Sequence, residues 1–149
     1  MNGIYFDGAY IAKCYLHEPD ALGVRRLARE SDGVSTSALS IAEVACTFHR
    51  HLREGTLTAK TSALLREQFL EDVRSETFFL VPLTEHVVRR VEFLTRSLPA
   101  TVYFRAGDAI HIVSAEEAGF DEIWTNDRHL LAAAAHFGLK GRSHNLRAR

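Results

Sequence analysis

A chain of 149 residues, 46% hydrophobic and 25% charged, has the make-up of a globular protein with a single core. No apolar stretch approaches the roughly 18 residues that span a bilayer, and the start runs directly into Ile4-Tyr5-Phe6-Asp7 without a basic segment and a long apolar one, so neither a signal peptide nor a membrane partner is expected, and a cytoplasmic location is. A net charge of −1 argues against a non-specific polyanion binder but leaves room for a nucleic-acid enzyme whose bound cations change the local field.

Ile4-Tyr5-Phe6 is too short for a helix and reads as a buried strand before Asp7-Gly8. Helical sequence follows to about Leu16, and Pro19 restarts a helix through Leu22, Leu27 and Ala28, which Ser31-Asp32-Gly33 breaks. Val34-Ser35-Thr36 is the second strand. Ile41, Val44, Ala45, Phe48 and Leu52 recur at helical spacing up to Gly55, and Leu65, Phe69 and Val73 mark the next helix. Phe78-Phe79-Leu80-Val81 is a third strand, ended by Pro82. Thr84 is placed to cap a helix carrying Val87, Val88, Val91 and Leu94, closed by Pro99. The segment Gly107 to Ala118 is apolar on most sides, as expected of a buried helix. Ile123-Trp124-Thr125 is the fourth strand, Asp127 to Phe137 the last long helix, and a weak fifth strand follows Gly138. A basic tail begins at about residue 141. Cys14 and Cys46 lie in apolar stretches without zinc-type spacing and are read as reduced core residues.

Short apolar strands alternating with helices predict a single domain of the α/β class, a three-layer α/β/α sandwich around a parallel sheet of four to five strands. In such sheets ligands bind outside the carboxyl ends of the strands, where the strand order reverses. Asp7 directly follows the first strand and Asp127 the fourth. Glu43 falls in the first turns of the helix after the second strand, and Asp108 at the start of the buried helix. Four carboxylates on one edge form a hard-oxygen set suited to Mg²⁺ or Mn²⁺. Two carboxylates about 6 Å apart at an effective dielectric near 20 repel by roughly 3 kcal/mol, so protons or cations must offset the crowding. Each acid also has a local role open to it. Asp7-Gly8 can be a turn, Asp127 an N-cap, Asp108 a first-turn acid, and Ser40-Ile41-Ala42-Glu43 fits a capping box.

At these residues the sequence resembles the PIN-domain nucleases, and within them the VapC-type toxins of toxin–antitoxin pairs. The matching stretches are Tyr5-Phe6-Asp7, then Ser37-Ala38-Leu39-Ser40-Ile41-Ala42-Glu43-Val44, then Phe104 to Ala115 with Gly107-Asp108-Ala109 at its centre, and Trp124-Thr125-Asn126-Asp127-Arg128-His129-Leu130. The resemblance implies an endoribonuclease dependent on Mg²⁺, with Mn²⁺ as an alternative, leaving 3′-hydroxyl and 5′-phosphate ends. It implies a cognate VapB-type antitoxin and frequent homodimers. It makes Asp7 and Asp108 the principal metal ligands, with Glu43 and Asp127 completing the catalytic set, and puts Thr125 and Asn126 where they would orient water or ligands. Ala9 departs from the family, which often carries a hydroxyl or amide two positions after the first acid.

Other residues carry two readings each. Arg105 and Arg128 flank two of the acids and either contact RNA phosphate or pair with nearby carboxylates. His111 shares a helix face with Asp108 and is favoured as a structural histidine over an acid/base group. His49 and His51 are expected on different, solvated faces. Tyr10 and Tyr103 are candidates for stacking on an unpaired base, with packing favoured. Leu16, Leu39 and Phe48 are either core or an apolar surface for the antitoxin or a second subunit. The alternatives to a nuclease are a PIN-like module that binds without cutting and, ranked far lower, a Mg²⁺-dependent phosphatase starting from an Asp7 nucleophile.

Overall fold

Successive side chains of an extended strand point to opposite faces, and the first strand buries both. Ile4 and Phe6 join Tyr10, Ile11, Val24, Val44, Phe48 and Phe69 in one core cluster, whereas Tyr5 joins Ile112, Ala115, Ile123, Leu130 and Ala133 in another. A sheet apolar on both faces needs a helical layer on each. The computed structural model describes residues 3–144 and contains those layers.

In chain order the elements are β1 (Ile4–Tyr5), α1 (Gly8–Lys13), α2 (Ala21–Glu30), β2 (Val34–Ser37), α3 (Leu39–Arg53), α4 (Ala59–Arg74), β3 (Phe78–Val81), α5 (Glu85–Thr95), α6 (Ala106–Glu117), β4 (Glu122–Trp124), α7 (Arg128–Ala134) and β5 (Lys140–Arg142). The first cluster draws on α1 to α4, the second on α6 and α7, and α5 packs on α6. Among the described residues all strand pairings are parallel. β1 pairs β2 with Ile4 opposite Val34, β2 pairs β3 with Val34 opposite Phe78, and β4 pairs β5 with Glu122 opposite Lys140. The two ladders meet at one bridge, Phe6 opposite Trp124, where the Asp7 N–H donates to the Trp124 carbonyl at 3.2 Å. The spatial order is therefore β3-β2-β1-β4-β5, and the direction of winding reverses between β1 and β4. The expected α/β/α sandwich with a parallel sheet is the observed fold.

The elements differ from expectation mainly at their ends. The Thr84 hydroxyl accepts from the Val87 N–H and starts α5 as predicted, but the helix stops at Thr95, short of Pro99. The last helix changes at Ala135 into a 3-10 turn, Ala135–Phe137, and Gly138 at φ 73° takes the left-handed conformation that ends it. The fifth strand is real, and it claims the start of the segment read as a basic tail. Arg142 lies in β5, its guanidinium 2.8 Å from Glu122, while residues 145–149 lie outside the described part.

The expected core thiols are also corrected. Cys14 is half-buried, its thiol pushed up to about 12 by burial, but Cys46 is exposed. Val44 and Phe48 hold the inward face of α3, and Cys46, two residues from each, is turned away by about 200°. Leu16 and Phe48 are wholly core, so only Leu39 of that trio retains partial exposure. Among the described residues no helix is long and apolar enough to cross a membrane.

Candidate active site

The reversal between β1 and β4 leaves a crevice at the carboxyl ends of the strands. A cleft of about 350 Å³ lies there, lined by Asp7, Ala9, Glu43, Arg105, Gly107, Asp108, His111 and Asp127. All four carboxylates named from the sequence line it. A larger groove of about 920 Å³, between α2 and the β4–β5 ladder, contains none of them.

Asp7 is 6% exposed and caps α1: Oδ1 accepts from the Tyr10 N–H at 2.9 Å and Oδ2 from the Thr125 hydroxyl at 2.5 Å. Burial pushes its carboxyl above the ordinary range, although nearby His111, the Thr125 hydroxyl and the Tyr10 N–H all pull the other way. Ala9 at the cleft edge offers no side-chain hydrogen bond, and Thr125 supplies one to Asp7 from the other side of the crevice. Asp108, in the first turn of α6, is likewise raised by burial, with Asp127 adding to the shift and Arg105 opposing it. Asp127 is both a cap and a cleft acid. Its Oδ1 accepts from the N–H groups of His129 and Leu130, and its Oδ2 faces Arg105 at 2.5 Å. Burial raises its carboxyl, but those N–H groups and Arg105 outweigh that and hold it below the ordinary carboxylate range.

Glu43 does not close a capping box. Ser40 bonds Thr36 at 2.6 Å, the Leu39 N–H donates to the Ser37 hydroxyl, and Glu43 is free to reach the cleft. There Oε1 lies 2.5 Å from His111 Nε2. Gly8 makes room for it. A Cβ there would come within 2.5 Å of Glu43 Oε1 and 2.8 Å of its Cβ, whereas one on Gly107 would meet Oε2 only at an ordinary 3.9 Å. His111, expected as a structural histidine, is 2% exposed, holds Glu43, and bonds the Tyr5 hydroxyl through Nδ1 at 2.8 Å. Its spacing of three from Asp108 on α6 puts both in the cleft lining, as expected, but did not disclose Glu43 as its partner.

Other expectations are divided by the structure. Arg105 pairs with carboxylates, its Nε donating to Asp108 Oδ2 at 3.0 Å and Nη2 to Asp127 Oδ2. Arg128 is exposed and outside the cleft lining. Thr125 reaches Asp7, but Asn126 points elsewhere: it donates to Asp20 Oδ2 at 2.7 Å and accepts from the Tyr10 and Ser143 hydroxyls. The reason is the alternation of an extended backbone, which sends neighbouring side chains to opposite sides. Tyr10 is fully buried, which removes it as a stacking ring, whereas Tyr103 is 57% exposed and stacks on His129 at 4.1 Å. His51 is not simply solvated, since its Nδ1 lies 2.7 Å from the Thr56 hydroxyl.

The family of this architecture is decided by its sequence profile: that of the PIN domain matches residues 4–136. The chain belongs to the PIN-domain family. Solved structures of similar fold share little of its sequence. VapC20 of Mycobacterium tuberculosis, a sarcin–ricin-loop-cleaving toxin, superposes with a TM-score of 0.65 at 16% identity, covering 87% of this chain and 94% of that one. FitAcB of Neisseria gonorrhoeae gives 0.65 at 19% identity over 93% and 95%, and VapBC2 of Rickettsia felis, bound to a promoter DNA fragment, gives 0.57 at 12% over 97% and 100%. At such identities the likeness is one of fold. No curated protein matches the sequence.

Among the described residues of this PIN domain, no three His, Cys, Asp or Glu side chains form a ready-made ion cage. Arg105 holds one oxygen each of Asp108 and Asp127, and His111 holds one of Glu43. The donor set nonetheless fits a hard divalent cation. It consists of carboxylate oxygens around one cleft, and burial raises two of its acids, Asp7 and Asp108, whose charged forms an ion would favour.

Proposed function

We propose that this PIN domain is a divalent-metal-dependent endoribonuclease, the VapC-type toxin of a toxin–antitoxin pair. The observation that carries the reading is the convergence of Asp7, Glu43, Asp108 and Asp127 on one cleft at the sheet's reversal point. In this reading Asp7 and Asp108 hold Mg²⁺, or Mn²⁺ in its place, with Glu43 and Asp127 completing the acidic set. A bound ion would supply charge against the scissile phosphate and acidify a water for attack.

The chain's own groups do the rest. Thr125 fixes the plane of the Asp7 carboxylate, and the cap bonds to Asp127 Oδ1 leave its Oδ2 turned to the cleft. Glu43, with Oε1 held by His111, has Oε2 left to take a proton from the attacking water. Arg105 at the cleft and Arg128 on the adjoining surface are the groups offered to RNA phosphates. Asn126 is proposed as a tie between α1, β4 and the segment after β5, not as a group that orients ligands.

The toxins and toxin–antitoxin complexes among proteins of this fold support a VapB-type antitoxin as partner, and exposed Leu22, Phe79, Val88 and Phe93 provide apolar surface for such a partner or for a homodimer. The proposed compartment is the cytoplasm. A second reading, a PIN-like module that binds RNA or protein without cutting, is favoured only by Ala9, where a side-chain contact to the acidic site is missing.

Controlled expression in bacteria of the wild type and of Asp108→Ala, followed by sequencing of RNA 5′ ends, tests the nuclease. Growth arrest with discrete new ends for the wild type alone is expected. Equal arrest by both, or purified protein that cuts RNA undiminished in excess EDTA, would overturn it.

A further inference from the structure

Arg105 precedes the first turn of α6 and bridges two acids of different helices. Its Nε donates to Asp108 Oδ2 at 3.0 Å and its Nη2 to Asp127 Oδ2 at 2.5 Å. Asp127 has only that oxygen to offer the cleft, because Oδ1 serves the N–H groups of α7. A divalent ion approaching either oxygen therefore meets a guanidinium already there, and like charges on one oxygen exclude each other. The arginine is able to leave. Its side chain is 48% exposed, and the guanidinium carbon already lies 5.7 Å from the ring of Tyr103, itself more than half exposed. An aromatic face within about 6 Å favours a cation, a contact the arginine can keep as it turns from the acids.

We infer that Arg105 is an exchangeable counter-ion. In the metal-free protein it offsets one of the two charges of the Asp108–Asp127 pair. When a divalent ion takes those carboxylates, Arg105 swings to the cleft mouth, where its planar fork is free for a phosphate of the substrate backbone. The inference rests on the metal-dependent reading and adds that arginine and ion compete, so ion binding itself arms the phosphate contact. An arginine that merely clamped the fold would behave in the opposite way, because its loss would loosen the acids and weaken the ion.

The test is Mn²⁺ binding to the full chain at low ionic strength, followed by the electron paramagnetic resonance of free Mn²⁺. Arg105→Gln, shown by circular dichroism to be folded, is expected to bind about two- to fivefold more tightly than the wild type, the size of one exposed ion pair relieved. Arg105→Lys, which keeps the charge without the fork, should fall between. A second arm needs no variant: in ¹⁵N spectra of the wild type, the Arg105 Nε–H signal should shift and exchange faster with water on Mg²⁺ addition. Equal or weaker binding by folded Arg105→Gln, or an unmoved Nε–H signal at saturating Mg²⁺, overturns the inference alone. No Mn²⁺ binding by any form defeats it together with the metal-dependent reading.

Discussion

His111 Nε2 lies 2.5 Å from Glu43 Oε1, and the same imidazole bonds the Tyr5 hydroxyl at 2.8 Å through Nδ1. Burial pushes the Tyr5 phenol well above its ordinary pKa, so it stays a neutral hydroxyl against Nδ1. The imidazole is thus held from the core on one side and faces Glu43 on the other. Tyr5→Phe deletes only this hydroxyl. It should lower stability by about 1–2 kcal/mol, the cost of a buried nitrogen left unpaired, measured by urea unfolding. If the bond also positions Glu43, RNA turnover should fall about tenfold with little change in KM. A Tyr5→Phe protein with both values unchanged would show that the ring is held in place without the hydroxyl.

Asp7→Asn separates stability from activity. A carboxyl whose folded pKa is raised above its unfolded value destabilises the protein once ionised, over pH values above the unfolded pKa, and this penalty disappears as pH falls. The amide keeps its oxygen for the Tyr10 N–H and offers its nitrogen to Thr125, whose hydroxyl can accept instead of donating. At pH 7 without divalent ions, Asp7→Asn should therefore melt above the wild type, and the gap should close towards pH 4. RNA cleavage should be lost throughout. Scanning calorimetry over pH reads the first effect, and a lower melting point at pH 7 would contradict it.

Gly8→Ala tests the close approach of α1 to α3. Gly8 is in ordinary helical conformation, so the issue is space alone. The added methyl would collide with Cβ and Cδ of Glu43 at 2.8 and 2.9 Å. A shift forced in packed surroundings costs about 1–3 kcal/mol, and here the displaced group is a cleft carboxylate. Both the unfolding midpoint and the cleavage rate should drop, while Gly55→Ala, in open space at φ 80°, should cost stability without touching cleavage.

Asn126→Ala removes one side chain from three partners, Asp20, Tyr10 and Ser143. Unpaired buried groups put the expected loss of stability at about 1–3 kcal/mol. Because its amide faces away from the acids, ion binding should be unchanged, as titration with Mn²⁺ would show. Weakened ion binding by a folded Asn126→Ala protein would restore the role first expected from the sequence.

Asp20 gives the fold an acid-sensitive tie. Burial raises its carboxyl, but Lys13 and the Asn126 amide outweigh that and hold it below its ordinary value. A depressed folded pKa contributes stability above the unfolded value near 3.8, lost as pH falls through the folded one. Asp20→Asn should thus destabilise at pH 7 and converge with the wild type in strong acid, an outcome visible in urea midpoints against pH.

The sequence by itself determined the layers of this protein and the identity of its acids. Ile4, Tyr5 and Phe6 are apolar in succession because the strand is covered on both faces, and the nearly all-apolar stretch from Ala109 to Ala115 could only be a buried helix. Asp7 and Asp127 are fixed at strand ends by chain order alone. These are local facts, set by periodicity and by which residues flank it. Tertiary structure decided which charge meets which: that Glu43 answers to His111, that Arg105 spans Asp108 and Asp127, and that Thr125 serves Asp7 while Asn126 turns away. Such pairings join residues far apart in the chain, and their geometry depends on the register of β1 against β4, held by the single bridge from Phe6 to Trp124. No spacing along one segment encodes that register, because it is the packing of both cores that sets it.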